Sequence, residues 1–255
     1  NFGNPEKPEA FWEFRECVRG LADAAKALWL KGYEDTPVPI VSGNVSFYNE
    51  SPEGTVDPSP IIACVGLIDD VRNAVTMNLK KAGNAIYLVG PRFDELGGSE
   101  YYRTAYGVTG ANAPKVRFDL ERSMIYATID SIAEKLVVSA HDISNGGLGA
   151  TAAEMALVGK GDLGMELALD SASTEDLSAD RLIFSESSGF LLECEGGAEV
   201  ELEKLLKGYC LAIMKLGKVT GSPEIVMTHQ GKKVVQMDLE TAKKAWTGGL
   251  VEAMR

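Results

Sequence analysis

The sequence predicts a two-domain protein of the α+β class, in which helices flank sheets, and three features support this prediction. Apolar residues recur with three-and-four spacing over residues 11–28, which is the periodicity of a helix with one buried stripe. The continuous apolar run Ile61–Ile68 is typical of a strand that is buried on both faces. A second strand-like run, Ala85–Val89, begins directly after a polar segment and indicates the start of another folded unit.

The polar segment 78–83 is the best candidate for a domain boundary because the pattern of apolar residues restarts after it. We therefore predict a first domain of residues 1–81 and a second of residues 82–255. Within the second, apolar periodicity and turn residues predict seven segments and a hairpin. They are helices at 120–135, 149–158 and 239–254, strands at 85–89, 137–140, 190–194 and 212–219, and a hairpin around Gln230-Gly231.

Composition narrows the classes of function. The chain has 255 residues, 45% of them hydrophobic, which is enough for a globular core. Lys and Arg number 25 against 37 Asp and Glu, so the net charge of -12 disfavours nucleic acid as a partner. The four cysteines are scattered, which predicts buried free thiols in a reducing compartment rather than a zinc site. No apolar run of about 18 residues is present, so we expect a cytoplasmic protein without membrane contact.

The segment Pro39–Glu50 is the first candidate for ligand binding. Gly43 would let the backbone approach a phosphate, and the side chain of Asn44 offers an oxygen to a hard cation. Because side chains alternate in extended backbone, Ser46 would face the same side as Asn44. Ser, Gly and Asn are also ordinary turn residues, so a plain turn is the alternative interpretation.

Three further polar segments combine carboxylates, hydroxyls and glycines. Ser139–Leu148 could bind phosphate through backbone N–H groups or a metal through Asp142, and His141 could act as a base. The same residues could equally cap a helix and hydrogen-bond an interior imidazole. Phe93–Tyr101 and Leu182–Gly189 have the composition of capping loops as well as of binding loops. None of these segments defines a function by itself.

Four segments taken together, in this order and spacing, resemble the synthetase subunit of phosphoribosylformylglycinamidine synthase. They are Asn1–Glu9, Ser42–Glu50, Asp94–Tyr101 and Ala140–Leu148. The resemblance covers nearly the whole chain and is to the C-terminal half of that enzyme. It implies an aminoimidazole ribonucleotide synthetase-like two-domain unit with mixed sheets flanked by helices.

The resemblance also implies an activity and its partners. The family converts formylglycinamide ribonucleotide to the amidine in purine biosynthesis, with ATP, Mg²⁺ and ammonia from a glutaminase subunit. A small accessory subunit and the N-terminal half of the same enzyme are the other implied partners. By resemblance, Gly43 would contact ATP, Asn44 would coordinate Mg²⁺ and Ser46 would contact the substrate. No catalytic residue is assigned to this chain, because the family's catalytic His belongs to the N-terminal half.

The chain departs from the family pattern in ways that limit these assignments. An ATP-contacting Asp precedes the Asn1–Glu9 motif in the family, so we expect the chain to be inactive by itself and to lack its natural beginning. Asn145 and Gly189 stand where relatives often have Asp and Arg, which leaves the roles of His141, Asp142 and Asn145 open. The alternatives are a structural half that holds an auxiliary nucleotide, or another ATP-dependent member of the superfamily.

Overall fold

The computed structural model describes residues 1–254, without the side chains of residues 250–253. The chain forms two compact units, residues 1–69 and the part from Asp70 onward. Residues 70–81 belong to the second unit, and Leu79 is buried in its core. The division into domains 1–81 and 82–255 remains a prediction about how the sequence is organised.

The first unit contains one long helix and one short hairpin. Helix α1 spans Pro8–Ala27 and confirms the helix predicted from apolar spacing. Pro8 suits the first turn, where a backbone N–H has no helical partner. Strands β1 (Glu50–Ser51) and β2 (Gly54–Thr55) pair antiparallel. The polar connection before them, residues 42–49, has no regular secondary structure.

The predicted strand at Ile61–Ile68 is wrong. The segment is neither strand nor helix, and its side chains face solvent: Ile61 is 84% exposed, Val65 95% and Leu67 96%. A strand is stabilised by hydrogen bonds to a neighbouring strand. Among the described residues of the first unit, β1 and β2 are the strands and they pair with each other. The apolar composition of the segment is therefore not matched by a partner within this unit.

The second unit is built on a seven-stranded mixed sheet with the order β4-β6-β3-β7-β5-β8-β9. Only β5 and β8 are parallel neighbours, and the other neighbours are antiparallel. The strands are β3 (Ala85–Val89), β4 (Val137–Asp142), β5 (Gly164–Ala168), β6 (Phe190–Cys194), β7 (Met214–Thr220), β8 (Glu224–His229) and β9 (Lys232–Asp238). The helices are α2 (Glu100–Tyr106), α3 (Phe118–Ala133), α4 (Gly147–Leu157), α5 (Ala179–Phe184), α6 (Glu199–Gly208) and α7 (Leu239–Ala253). The predicted α+β class with mixed sheets flanked by helices is confirmed.

Every helix and strand predicted in this unit is present, and each end lies within two residues of its predicted position. The hairpin is also confirmed: Gln230 and Gly231 connect β8 to β9 with φ of 50° and 70°, which suits a tight primed turn. Elements that the sequence did not predict are α2, α5, α6 and β5. Among the described residues, no helix combines the length and apolar character that crossing a membrane requires.

Two hydrophobic cores lie on opposite faces of the sheet. Side chains alternate along β3, so Ile86 and Leu88 enter one core while Tyr87 and Val89 enter the other. Helix α4 contributes to the first core and helices α3 and α6 to the second. Burial on both faces explains why β3 is continuously apolar in sequence.

A buried carboxylate anchors the segment that leads into β3. Glu193, on β6, is fully buried, and its Oε2 accepts a hydrogen bond from Lys80 N at 2.8 Å. Its Oε1 accepts from Lys81 N at 3.0 Å and from Asn84 Nδ2 at 2.8 Å. Three donors therefore stabilise one charge that burial alone would disfavour.

The cysteines only partly match their prediction. They are free thiols, and Cys194 is buried, which raises the pKa of its thiol to about 12. Cys64 and Cys210 are exposed, so the expectation of burial is wrong for both. Cys64 is exposed because it lies in the unpaired segment 61–68.

Candidate functional site

The N-terminal segment lies against the end of the predicted ligand-binding turn. Phe2 N donates to Ser46 O at 3.0 Å, Asn49 N donates to Phe2 O at 3.2 Å, and Tyr48 N donates to Gly3 O at 3.1 Å. These bonds hold the backbone of residues 46–49 beside residues 2–3, with a local turn at Tyr48, whose φ is 59°. Two of the motifs that carry the family resemblance are thus adjacent in space.

Asn49 organises this junction, although sequence reasoning gave it no role. Its Nδ2 donates to Ser46 O and to Phe2 O, both at 3.0 Å. The hydroxyl of Ser46 lies 3.2 Å from Oδ1 and from Nδ2 of Asn49. Ser46 is therefore oriented by Asn49. In the sequence, the position of Asn49 inside the Ser42–Glu50 motif was the one indication of this role.

Aromatic packing stabilises the contact between the N-terminal segment and residues 46–49. Phe2 is buried, and its ring centroid lies 5.3 Å from that of Phe14 on α1. Phe47 meets Phe14 edge-on at 5.0 Å. Edge-to-face contacts of this kind stabilise aromatic clusters beyond simple burial. The same rings fix α1 relative to the turn.

A charged contact closes the other side of the motif. Glu50 Oε1 accepts from Lys7 Nζ at 2.8 Å and from Asn4 N at 3.1 Å. The hydrogen bond from Lys7, followed by the one from Asn4 N, holds the pKa of Glu50 below its usual value. The carboxylate at the end of the motif is thus committed to the N-terminal segment.

Gly43 and Asn44 are exposed, in contrast to Ser46. A Cβ at Gly43 would meet no atom within 4 Å, and its φ is not in the left-handed region, so neither packing nor backbone conformation requires glycine there. Among the described residues, no group of three or more His, Cys, Asp or Glu side chains is placed to hold a metal. An asparagine side chain has one oxygen to offer, whereas Mg²⁺ takes six oxygen ligands, so Asn44 by itself would not make a magnesium site.

In the second unit, the three remaining polar segments converge. Glu186 Oε1 accepts from Glu100 N and from Gly146 N, each at 2.8 Å. Glu100 is the first residue of α2, and Gly146 precedes the first residue of α4. The carboxylate therefore joins the starts of two helices, where backbone N–H groups favour an anion.

The loop before β6 is also tied to an ion pair between buried Glu95 and partly exposed Arg117. Glu95 Oε1 accepts from Arg117 Nη2 at 2.7 Å, and Glu95 Oε2 accepts from Ser187 Oγ at 2.9 Å. The guanidinium of Arg117 lies 3.5 Å from the ring centroid of Phe93. Burial opposes ionisation of Glu95, but the hydrogen bonds from Arg117 and Ser187 outweigh it, so the pKa of Glu95 lies below its usual value.

This depressed pKa predicts an acid-dependent loss of stability. Ionised Glu95 contributes stability above the unfolded-state pKa of about 4.3, and that contribution is lost as pH falls through the lower folded-state pKa. We expect Glu95→Gln to lose less stability than the wild type when urea unfolding is compared between about pH 6 and pH 3. The exposed Glu175→Gln variant is the matched control and should follow the wild type. Equal acid sensitivity of Glu95→Gln and wild type would contradict the assignment.

His141 lies in a cleft of about 710 Å³ whose walls include Thr76, Asn78 and Phe190. Its Nδ1 is 3.1 Å from Asp142 Oδ1, and its Nε2 is 2.9 Å from Glu154 Oε2. Both ring nitrogens are engaged by carboxylates within the unit, which matches the interpretation of His141 as a hydrogen-bonded imidazole. Among the described residues Asn145 makes no such contact, and its role stays open.

The fold and these motifs identify the class of protein. The chain belongs to the AIR synthase related protein family, since the model of the family's C-terminal domain matches residues 81–230. Phosphoribosylformylglycinamidine synthase subunit PurL of Methanothrix thermoacetophila is 60% identical over 255 residues, which cover all of this chain and 33% of the relative. The corresponding subunit of Alkaliphilus metalliredigens is 37% identical over 251 residues, covering 98% of this chain and 32% of the relative. The predicted family resemblance is confirmed.

The chain spans about one third of the length of these relatives. Among solved structures, T. maritima PurL complexed with FGAR superposes with a TM-score of 0.60 at 18% identity, covering 68% of this chain and 30% of that chain. T. maritima PurL complexed with ATP gives a TM-score of 0.54 at 18% identity, covering 68% of this chain and 27% of that chain. These likenesses support the same fold.

Proposed function

We propose that this chain provides part of the ATP-dependent ligase that converts formylglycinamide ribonucleotide and ammonia to formylglycinamidine ribonucleotide in purine biosynthesis. The observation that supports this most is the 60% identity to a PurL subunit over the whole chain. Because the chain corresponds to 33% of that subunit, the rest of the active site would come from the remaining sequence.

The chemistry explains why ATP is required. An amide oxygen is a poor leaving group, so its attack on the γ-phosphorus of ATP forms an iminophosphate and releases ADP. Ammonia then adds to the activated carbon, and phosphate leaves with the former amide oxygen, which gives the amidine. Mg²⁺, when bound, would neutralise charge on the phosphoryl group being transferred.

The residues of this chain would contribute binding rather than proton transfer. We assign ATP contact to Gly43, Mg²⁺ coordination to Asn44 and substrate contact to Ser46. The open space beside Gly43 supports a backbone approach by phosphate, since no internal packing requires the glycine. The hydroxyl of Ser46 is already oriented by Asn49, which lowers the entropic cost of holding it towards a ligand.

The exposed segment Ile61–Ile68 supports the assignment of a polypeptide partner. Its apolar run, in which half of the residues are β-branched, suits a strand, yet among the described residues of the first unit it has no neighbouring strand. We assign the partner to the N-terminal half of the same enzyme. A glutaminase subunit that supplies ammonia, a small accessory subunit and a cytoplasmic setting complete the proposal.

Asn44 provides the direct test. Joined to the remaining two thirds of the M. thermoacetophila relative, this chain should support ATP-dependent amidine formation with ammonia as nitrogen donor. Asn44→Ala in that chimera is expected to lower kcat/KM at least about 100-fold, because a ligand of the metal that stabilises the transferring phosphoryl group is lost. The exposed Asn73→Ala variant is the control and should retain wild-type activity.

The competing proposal is a structural half that pairs with its counterpart and holds an auxiliary nucleotide without turnover. It predicts that Asn44→Ala leaves kcat/KM of the chimera unchanged. Circular dichroism of both variants would establish that folding is intact. Equal activity of Asn44→Ala and Asn73→Ala would therefore favour the structural role.

A further inference from the structure

Arg92 has an unusual environment for a charged side chain. It is fully buried in the loop that follows β3. Its Nη2 donates to Gly90 O at 3.1 Å and to Ser188 O at 2.6 Å, and its Nη1 donates to Ser187 O and, at 3.5 Å, to Ser185 O. Three of these four carbonyls belong to one short loop, residues 185–188. The guanidinium therefore acts on the backbone of that loop.

The side chains of the same loop reach outward to other elements. Ser187 Oγ donates to Glu95, and Ser188 Oγ donates to Glu121. Glu186, which directly precedes Ser187, accepts hydrogen bonds from the backbone N–H groups of Glu100 and Gly146. The backbone carbonyls of this one loop thus accept hydrogen bonds from Arg92. Its side chains form hydrogen bonds with the starts of α2 and α4 and with α3.

The packing around the guanidinium leaves little freedom. A Cβ at Gly189 would lie 2.6 Å from Arg92 Nη2 and 2.7 Å from Val89 O, so the loop can approach Arg92 only with glycine there. Burial lowers the pKa of Arg92 to about 9, and the nearby carboxylates of Glu121 and Glu95 oppose this effect by favouring the charged form. The planar fork of arginine matches several acceptors at fixed angles, which lysine does not.

We propose that Arg92 is a positioning residue: it sets the backbone of residues 185–188 so that Glu186 meets the N–H groups of Glu100 and Gly146. Arg92 thereby determines how the start of α2 is placed relative to the start of α4. The three polar segments at residues 93–101, 139–148 and 182–189 are one pre-organised assembly. This inference is independent of the proposed synthase activity and concerns the second unit alone.

Amide hydrogen exchange of the 255-residue chain, measured by NMR, tests the proposal. In Arg92→Lys, the amides of Glu100 and Gly146 are expected to exchange at least about 10-fold faster, while those of β8 and β9 change less than about 2-fold. Glu186→Gln should accelerate the same two amides. In the double variant their rates should equal those of Glu186→Gln alone, because Arg92 acts on them only through Glu186.

Two results would overturn the proposal. One is unchanged exchange of Glu100 and Gly146 in Arg92→Lys, or an equal acceleration of all slow amides, which is the pattern of a purely structural loss. The other is additive acceleration in the double variant. If Arg92→Lys does not fold, the NMR signals of the Arg92 Nη protons in the wild type provide the test. A guanidinium held by the loop carbonyls gives separate, slowly exchanging signals, and a single averaged signal would contradict the proposal.

Discussion

Glu193→Ala is expected to lower the free energy of unfolding of the second unit by about 3 to 5 kcal/mol. The substitution removes one buried carboxylate and leaves three donors, Lys80 N, Lys81 N and Asn84 Nδ2, without their acceptor. Water does not easily replace it, because Glu193 is fully buried. Urea unfolding followed by circular dichroism measures the loss.

Glu195→Ala is the matched control, since Glu195 lies two residues away and is exposed. It should change stability by less than about 0.5 kcal/mol. Glu193→Gln should recover only part of the loss, because an amide presents donors as well as an acceptor to the three N–H groups. Similar small effects at both positions would show that the buried carboxylate does not hold the segment before β3.

Gly217→Ala is the second large effect, with an expected loss of about 3 kcal/mol. A Cβ at Gly217 would overlap the carbonyl oxygen of Glu166, which lies on the neighbouring strand β5. The clash is with backbone, so no side-chain rotation relieves it, and β5 and β7 would have to separate. Thermal unfolding of the chain should show a lower midpoint for this variant.

Gly208→Ala provides the comparison, because a Cβ there meets no atom within 4 Å and the residue ends α6. Alanine favours helix over glycine, so this variant should be neutral or slightly more stable, by at most about 1 kcal/mol. If both alanine variants unfold at the same temperature, the close approach of β5 and β7 is not a constraint on the sequence.

Local patterns predicted the regular elements that have strong periodicity and failed where the pattern is short. β3 and β6 were predicted with their observed limits, because β3 is a continuous apolar run and β6 is apolar apart from Glu193, and polar or glycine residues flank both. Strand β5 has only five residues, and its alternation rests on Met165 and Leu167, which is too few positions to distinguish a strand. Helix α6 was missed although Leu202, Leu205 and Leu206 have helical spacing.

The error at Ile61–Ile68 has a different origin. An apolar run indicates that a segment will be covered, but it does not say by which atoms. In the first unit those atoms are not present, so the segment is exposed. Composition indicates a preference for burial, but it does not reveal whether a partner strand is available.

The residues of the candidate site were also only partly predictable from the local sequence. Gly43, Asn44 and Ser46 could be selected from one short motif because their chemistry is local. Asn49 orients Ser46 through contacts with Phe2, 47 residues earlier, and no local spacing predicts that contact. Glu186 likewise meets Gly146 from 40 positions away, so each of those loops resembled an ordinary cap when considered alone.

We propose that residues 43–46 form one wall of an active site, which sequence equivalent to the rest of the PurL relatives completes. Amidine formation from ammonia, ATP and formylglycinamide ribonucleotide, measured for this chain alone and for its chimera with the M. thermoacetophila relative, tests it most directly. We expect no product from the chain alone, product from the chimera, and loss of that product in Asn44→Ala. Turnover by the chain alone, or a chimera whose activity is indifferent to Asn44, would contradict the claim.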